Sequence, residues 1–363
     1  MGKDISSNQP TISSEVLSSA AWLSEHSKDV KINSEAIDKF IREITKDEYD
    51  QKTSVMQFPL NFSNHEQEVN FWFVLDLINF GSGYRKELHE ASGRGAYDTI
   101  CYGLFGMFLS QSGNINAKFF KNLSLHEVSS YFNIPISVEV QQQPGIYAYK
   151  DSPLKPLAMS IHSVLRESAT IVQDELGFDD FGSFIFKFTE PSSSSSSSSN
   201  SRPSACKLTE RLVNTFPAFR DVSKYGESNT PIYLYKKAQL LCGDLHRRFK
   251  SLLPERFDFE DVDQLTVFTD NVVPAVLRKY GILEVSKELE EWLDSGKELP
   301  AGDREIELRS LAIHACHLLT ERARLQNHEF IGNDMKFDYF LWTKGKDGEF
   351  RKVERHYTKS IYY

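Results

Sequence analysis

A mainly α-helical fold, a single helical domain with a few short strands, is what this chain of 363 residues predicts. Three observations carry that prediction. Apolar residues recur at i, i+3, i+4 and i+7 through most of the chain. Extended apolar runs are rare, short and bounded by turn residues. Hydrophobic residues make up 40% of the sequence and aromatic residues 12%, ample for the core of one large domain.

In chain order, residues 1–14 are polar and expected to be disordered. A first helix is expected through Val16, Leu17, Ala20, Ala21 and Leu23. A clearer one follows, with Ser34 as cap and Ile37, Phe40, Ile41 and Ile44 on one face. Phe58 to Phe62 reads as extended. Residues 69–85, VNFWFVLDLINFGSGYR, are apolar nearly all round, which predicts a central buried helix running to Gly81-Ser82-Gly83. Asp76 and Asn79 then lie inside that helix and need partners. Residues 96–110 form another apolar helix, with Gly103 and Gly106 suited to close packing. Leu123 to Phe132 is amphipathic behind Ser124, residues 137–140 read as a strand, and 154–177 are again helical. Residues 190–204, EPSSSSSSSSNSRPS, cannot bury surface and are expected to be a disordered insertion. Helical patterning resumes at Leu208, Leu212 and Val213, so residues 15–363 are taken as one domain around that insertion.

Further on, Ile232 and Leu234 are briefly strand-like, and Ala238, Leu241, Leu245 and Phe249 mark a helix face. Lys237 and Asp244, seven apart, share a face. Two cations, Lys236 and Lys237, stand at this helix start, where the dipole disfavours them unless an anion is near. In LTVFTDNVVPAVLRKYG, residues 265–281, an apolar run meets a helix carrying Val272, Val273, Val276 and Leu277, with Pro274 in its first turn and Gly281 at its end. Asp270 falls at that junction, where backbone N–H groups favour a charged carboxylate. It is either a helix cap or a catalytic carboxylate at a pocket floor. A long helix follows residues 305–309, with Leu311, Ala315, Leu318 and Leu319 inward. Phe337 to Trp342 is aromatic and expected in the core, and the aromatic C-terminus is expected to dock on the body.

The net charge of −9 argues against a grip on long nucleic acid but leaves room for a small anionic ligand. Cys101, Cys206, Cys242 and Cys316 show no metal-ligand spacing and read as reduced thiols of an intracellular, cytoplasmic protein, with the nucleus as the other compartment. MGKDISSNQP lacks the apolar core of a signal peptide, and no apolar run is long enough for a membrane span. No Walker A, GxGxxG, HExxH or GxSxG motif occurs, and neither a cofactor nor a metal is expected.

Taken together, LINFGSGYR (77–85), FPAFRDV (216–222), LYKKAQLL (234–241) with Asp244, VFTDNVVPAVLRKYGIL (267–283), DREIELRS (303–310), DYFLW (338–342) and RHYTKSIYY (355–363) resemble the eukaryotic queuosine salvage proteins. The resemblance covers roughly residues 35–363. It implies a helical fold akin to helix-hairpin-helix DNA glycosylases, although the hairpin's Gly-x-Gly is absent here. It implies hydrolysis of the N-glycosidic bond of queuosine 5′-monophosphate, a small-molecule substrate, with release of queuine for tRNA. It implies Asp270 of Phe268-Thr269-Asp270 as the catalytic carboxylate and Lys236 as its paired lysine. For the base, the candidates are Phe80, Tyr84 and Trp342 as stacking rings and Asp244 as reader of an amino group. For the 5′-phosphate they are Arg220, Arg309, His356 and Lys359. Two other classes compete: a non-catalytic nucleotide-binding or helical interaction protein, and a repair glycosylase acting on DNA.

Overall fold

Helices dominate because the apolar stripes predicted above find one another. In a computed structural model, residues 11–53, 58–191 and 202–363 are described. The buried helix His65–Leu77 runs through the centre, with every residue from Glu68 to Leu77 out of solvent. Helices Phe181–Phe188 and Lys236–Phe249 pack on it. Phe73 stacks on Phe181 with ring centroids 4.4 Å apart. Gly182 permits the approach, since a Cβ there would collide with the Glu66 carbonyl. The 23-residue helix Asp303–Leu325 forms a second axis, against which Ile12–His26, Ser34–Glu43 and Asp334–Lys344 pack. One hydrophobic cluster runs from Ile12 to Leu341.

Among the described residues the strands pair into three separate two-stranded antiparallel ladders: Val30–Ile32 with Leu283–Val285, Ser137–Gln143 with Ile146–Asp151, and Val222–Tyr225 with Thr230–Tyr233. The last ladder turns the chain into the Lys236–Phe249 helix, whose buried face is the expected Ala238, Leu241, Leu245 and Phe249. Gly103 packs so tightly on the Phe132 ring that a side chain would collide with it. The C-terminus docks as expected: Gly81 N–H donates to the Tyr363 carbonyl at 3.0 Å, and Tyr363 is buried.

Several expectations need correction. The first helix starts at Ile12, inside the stretch expected to lack order, because Thr11 accepts from Ser14 N–H and caps it. Asn33, not Ser34, caps the second helix. The central helix ends at Leu77, so Asn79 lies beyond it. Ile78, with a ψ of 13°, already leaves the helical path, and Gly81, with a φ of 106°, then turns the chain where the apolar pattern continues. The strand Ile146–Asp151 and the helix Phe181–Phe188 were not anticipated. Most of the serine tract, residues 192–201, falls outside the described residues, as do residues 1–10. The helix after the tract, Ala205–Thr215, is capped by Ser204.

Candidate active site

The segment Thr266–Asn271 is irregular and, among the described residues, belongs to no strand ladder, so its backbone polar groups need other partners. Buried side chains from three separate places supply some of them, and the segment's own Asn271 side chain ties it to a fourth. Gln239 accepts from Thr266 N–H at 2.9 Å. Asp338 accepts from Phe268 N–H at 2.7 Å. Arg309 Nε donates to the Thr269 carbonyl at 3.0 Å, and Asn271 Nδ2 donates to the His356 carbonyl at 3.1 Å. Motifs scattered from residue 239 to residue 356 thus converge on one stretch of backbone, the one that carries Asp270.

Asp270 is 6% exposed. Its Oδ1 accepts from Val272 N–H at 2.6 Å and Val273 N–H at 3.3 Å, at the start of the helix Val272–Lys279. The helix-cap role and the pocket-floor position therefore coexist. Oδ2 has no hydrogen-bond partner among the described residues, and the residue borders two adjoining cavities.

The first cavity, of about 780 Å³, is lined by Trp72, Asn79, Tyr97, Lys236, Leu240, Asp244, Phe268, Asp270, Asp338, Tyr339 and Trp342, with Lys52, Arg247, Arg248 and Thr343 completing it. Its apolar wall with convergent polar groups suits a flat polar ligand. Lys236 is 5% exposed, and its Nζ donates to the Asn79 carbonyl at 3.2 Å. Burial lowers its pKa below the ordinary lysine range, against the pull of Asp270, Asp76 and Asp338. Burial likewise raises Asp338 to about 7, in spite of its bond from Phe268 N–H, and the neighbouring Asp270 adds to the rise. Asp244 is also raised by burial, opposed by Arg247 and by the Tyr339 hydroxyl, which donates to it at 2.7 Å. The Arg247 guanidinium stacks 3.5 Å above the Tyr339 ring. Perturbed carboxyl groups of this kind in a cleft mark functional sites.

The second cavity, of about 870 Å³, shares Asn79, Tyr97, Asp270 and Trp342 with the first. It adds Phe80, Ser82, Arg85, His89, Asp98, Lys346, Arg351 and Arg355 among others.

Of the residues expected at the site, the fold brings together Asp270, Lys236, Asp244, Trp342 and Phe80. Trp342 carries Lys346 Nζ 3.3 Å above its ring, so one face of the indole is already taken. Lys237, which was expected to share Asp244's face, instead turns into the core and donates to the Leu77 carbonyl at 2.7 Å.

The others lie elsewhere. Arg309 is buried against Asp221 at 2.6 Å and Glu305 at 3.3 Å, which leaves it no charge to offer a phosphate. Arg220 is exposed, with its guanidinium on the Val213 and Asn214 carbonyls. Lys359 is exposed beside Glu298 at 2.8 Å, and Tyr84 packs beneath it. His356 is buried beside Tyr363, and desolvation followed by the neighbouring arginines lowers its pKa to about 3, so it carries no charge. Its contribution is its carbonyl. Sequence reasoning missed Asp338, Asn79, Tyr97, Tyr339, Lys346 and Arg355. Asp338 had a signal: a carboxylate in an otherwise aromatic buried helix requires a reason.

Comparison with known proteins agrees with this convergence of motifs. A family model described as queuosine salvage protein matches residues 58–363. A Bos taurus relative is 27% identical over 82% of this chain and 82% of its own length. A Mus musculus relative is 26% identical over 95% and 97% respectively, and one from Dictyostelium discoideum is 26% identical over 96% and 98%. All three carry the name queuosine 5′-phosphate N-glycosylase/hydrolase. With most of its length matched by that model, the chain belongs to the queuosine salvage protein family.

Proposed function

We propose that this protein hydrolyses the N-glycosidic bond of queuosine 5′-monophosphate, releasing queuine for reinsertion into tRNA. It would act as one domain over residues 15–363, without a metal or cofactor. A kinship with helix-hairpin-helix glycosylases rests on the family resemblance alone. The observation that carries the function is Asp270, a carboxylate with one oxygen fixed by two N–H groups and the other unpartnered, at the seam of two cavities.

Breaking the bond builds positive charge on the ribose, as in glycoside hydrolysis. Asp270 Oδ2 stabilises that charge and takes a proton from the water that attacks the anomeric carbon. The electron pair of the broken C–N bond leaves with the base. A 7-deazaguanine has no N7 to protonate, so the departing base needs a proton donor elsewhere. Asp338, with a pKa of about 7, is half protonated at neutral pH and lines the same cavity. Its proton goes to the base. Lys236 sets the local field between the carboxyl groups, and Asp244 reads a donor on the base. Phe268, Tyr339 and Trp72 offer apolar surface to its faces.

The test is direct. Purified protein incubated with queuosine 5′-phosphate should release free queuine, and Asp270→Asn should not. Release at the native rate by the Asn variant would remove Asp270 from the chemistry.

A further inference from the structure

We propose that the second cavity is a binding site for a phosphate monoester, with Arg355 as the recognising residue and Lys346, Arg85 and Arg351 around it. This rests on the reading of the first cavity as the place where a nucleotide loses its base.

Four cations, Arg85, Lys346, Arg351 and Arg355, line this cavity against two carboxylates, Asp98 and Asp270. The chain as a whole is acidic, at −9, so the local excess of positive charge runs against its composition. Among the described residues none of the four lies within ion-pair distance of a carboxylate; for Arg355, which is buried, and Arg85, which is half-buried, that departs from the pairing of Arg247, Arg248, Arg304, Arg309 and Lys344. Charge of one sign, lacking carboxylate partners and gathered in a concave place, attracts the opposite sign from outside.

Arg355 is the sharpest part of the argument. It is only 9% exposed, yet its Nε is buried without a hydrogen-bond partner. Its one hydrogen bond among the described residues runs from Nη2 to the Gly345 carbonyl at 2.7 Å. A guanidinium has five N–H donors, and burying them unpaired is costly. Burial, then repulsion from Arg85, lowers its pKa to about 10, with Arg351 adding to the effect. A planar fork with spare donors matches two oxygens of a phosphate. Gly345 makes the placement possible: any side chain there would collide with Val272, so the helix Asp334–Lys344 could not end so close to the start of the Asp270-capped helix. Asp270, Asn79, Tyr97 and Trp342 border both cavities. A ribose over that seam directs its base to one side and its 5′ substituent to the other.

The experiment compares the full chain with Arg355→Gln on queuosine 5′-phosphate and on queuosine, and titrates inorganic phosphate onto both proteins by calorimetry. Loss of a charge-assisted contact predicts that kcat/KM for the phosphate ester falls about tenfold to a hundredfold more than for the nucleoside. Inorganic phosphate should compete with the ester in the native protein and bind about tenfold more weakly to the variant. An equal fall on both substrates, or unchanged phosphate binding, overturns the proposal. If the native protein cleaves neither substrate, the hydrolase reading fails. The phosphate site then stands if phosphate titrates onto the native chain and not onto the variant, and falls if it titrates onto neither. Should Arg355→Gln not fold, Lys346→Met reads the same substrate ratio at an exposed side chain, and an unchanged ratio there also overturns the proposal.

Discussion

Two clusters of buried charge meet the Thr266–Asn271 segment, and they are built on opposite plans. In one, Arg309 meets Asp221 and Glu305 in ion pairs and donates to the Thr269 carbonyl. Burial works against the Arg309 charge, but Asp221 and Glu305 outweigh it, and the pKa ends above the ordinary arginine value. Every charge there has a partner. In the other, Lys236 sits among Asp270, Asp76 and Asp338 without an ion pair to any of them, bonded among the described residues only to the Asn79 carbonyl. Its pKa is lowered and that of Asp338 is raised. A closed network fixes backbone, whereas an open one keeps charges available to something that arrives. The comparison predicts that substitutions on the two sides fail in different currencies, stability on one and turnover on the other.

The largest effect should come from Asp270→Asn. Turnover of queuosine 5′-phosphate should fall at least about a thousandfold, the scale of removing a group that stabilises transition-state charge. Stability should change by less than about 1 kcal/mol, because Asn retains an oxygen to accept from the Val272 and Val273 N–H groups. Single-turnover rates and urea midpoints measure both. A large loss of stability with native turnover would invert the comparison.

Arg309→Met should do the reverse. It strands two buried carboxylates, and removing one partner of such a network costs about 3–5 kcal/mol. The urea midpoint should fall steeply, and activity should suffer only through the loosened Thr269 carbonyl. A variant as stable as the native protein but inactive would put Arg309 in the site after all. Lys236→Met should lower kcat/KM about a hundredfold while moving the urea midpoint little, since its ammonium closes no ion pair. A Met variant with full activity would leave the lysine as a mere tie to Asn79.

This contrast explains what could be read from the sequence. The place of Asp270 at a helix start was legible because its setting is local: an apolar run, a carboxylate, then a helix with Pro274 in its first turn. The Lys236–Phe249 helix was legible for the same reason, from the spacing of Ala238, Leu241, Leu245 and Phe249. The phosphate candidates were chosen by residue type, and type does not say where a partner sits. Arg309 and Lys359 look like free cations in the sequence because Asp221 and Glu298 are 88 and 61 positions away, and only the fold pairs them. Arg355 stands beside the chosen His356, but neighbouring residues point to different sides of the chain. Asp338 was hidden by its surroundings, since four aromatic or aliphatic neighbours read as helix core. The end of the central helix at Leu77 was hidden because the apolar pattern continues past it through Ile78 and Phe80.

The finest test concerns Asp338, because it asks whether the open cluster costs stability to maintain. Its folded pKa of about 7 lies above the unfolded aspartate value of about 3.9. Between those values the folded chain binds more protons than the unfolded one, so stability falls as pH rises from about 4 to about 7. Above that range the full penalty of a buried charge is present, on the order of 2 kcal/mol once coupling to Lys236 is allowed for. Asp338→Asn keeps an acceptor for Phe268 N–H and carries no charge. It should therefore be more stable than the native protein at pH 8, with the gap closing toward pH 5, when both are followed by urea unfolding. The same substitution removes the proton offered to the base. The native kcat/KM should fall as pH rises through about 7, and the variant should be slow and should lack that alkaline decline. A stability gap that stays constant with pH would mean that Asp338 is ionised throughout and belongs to the closed plan, with its charge balanced by Lys236.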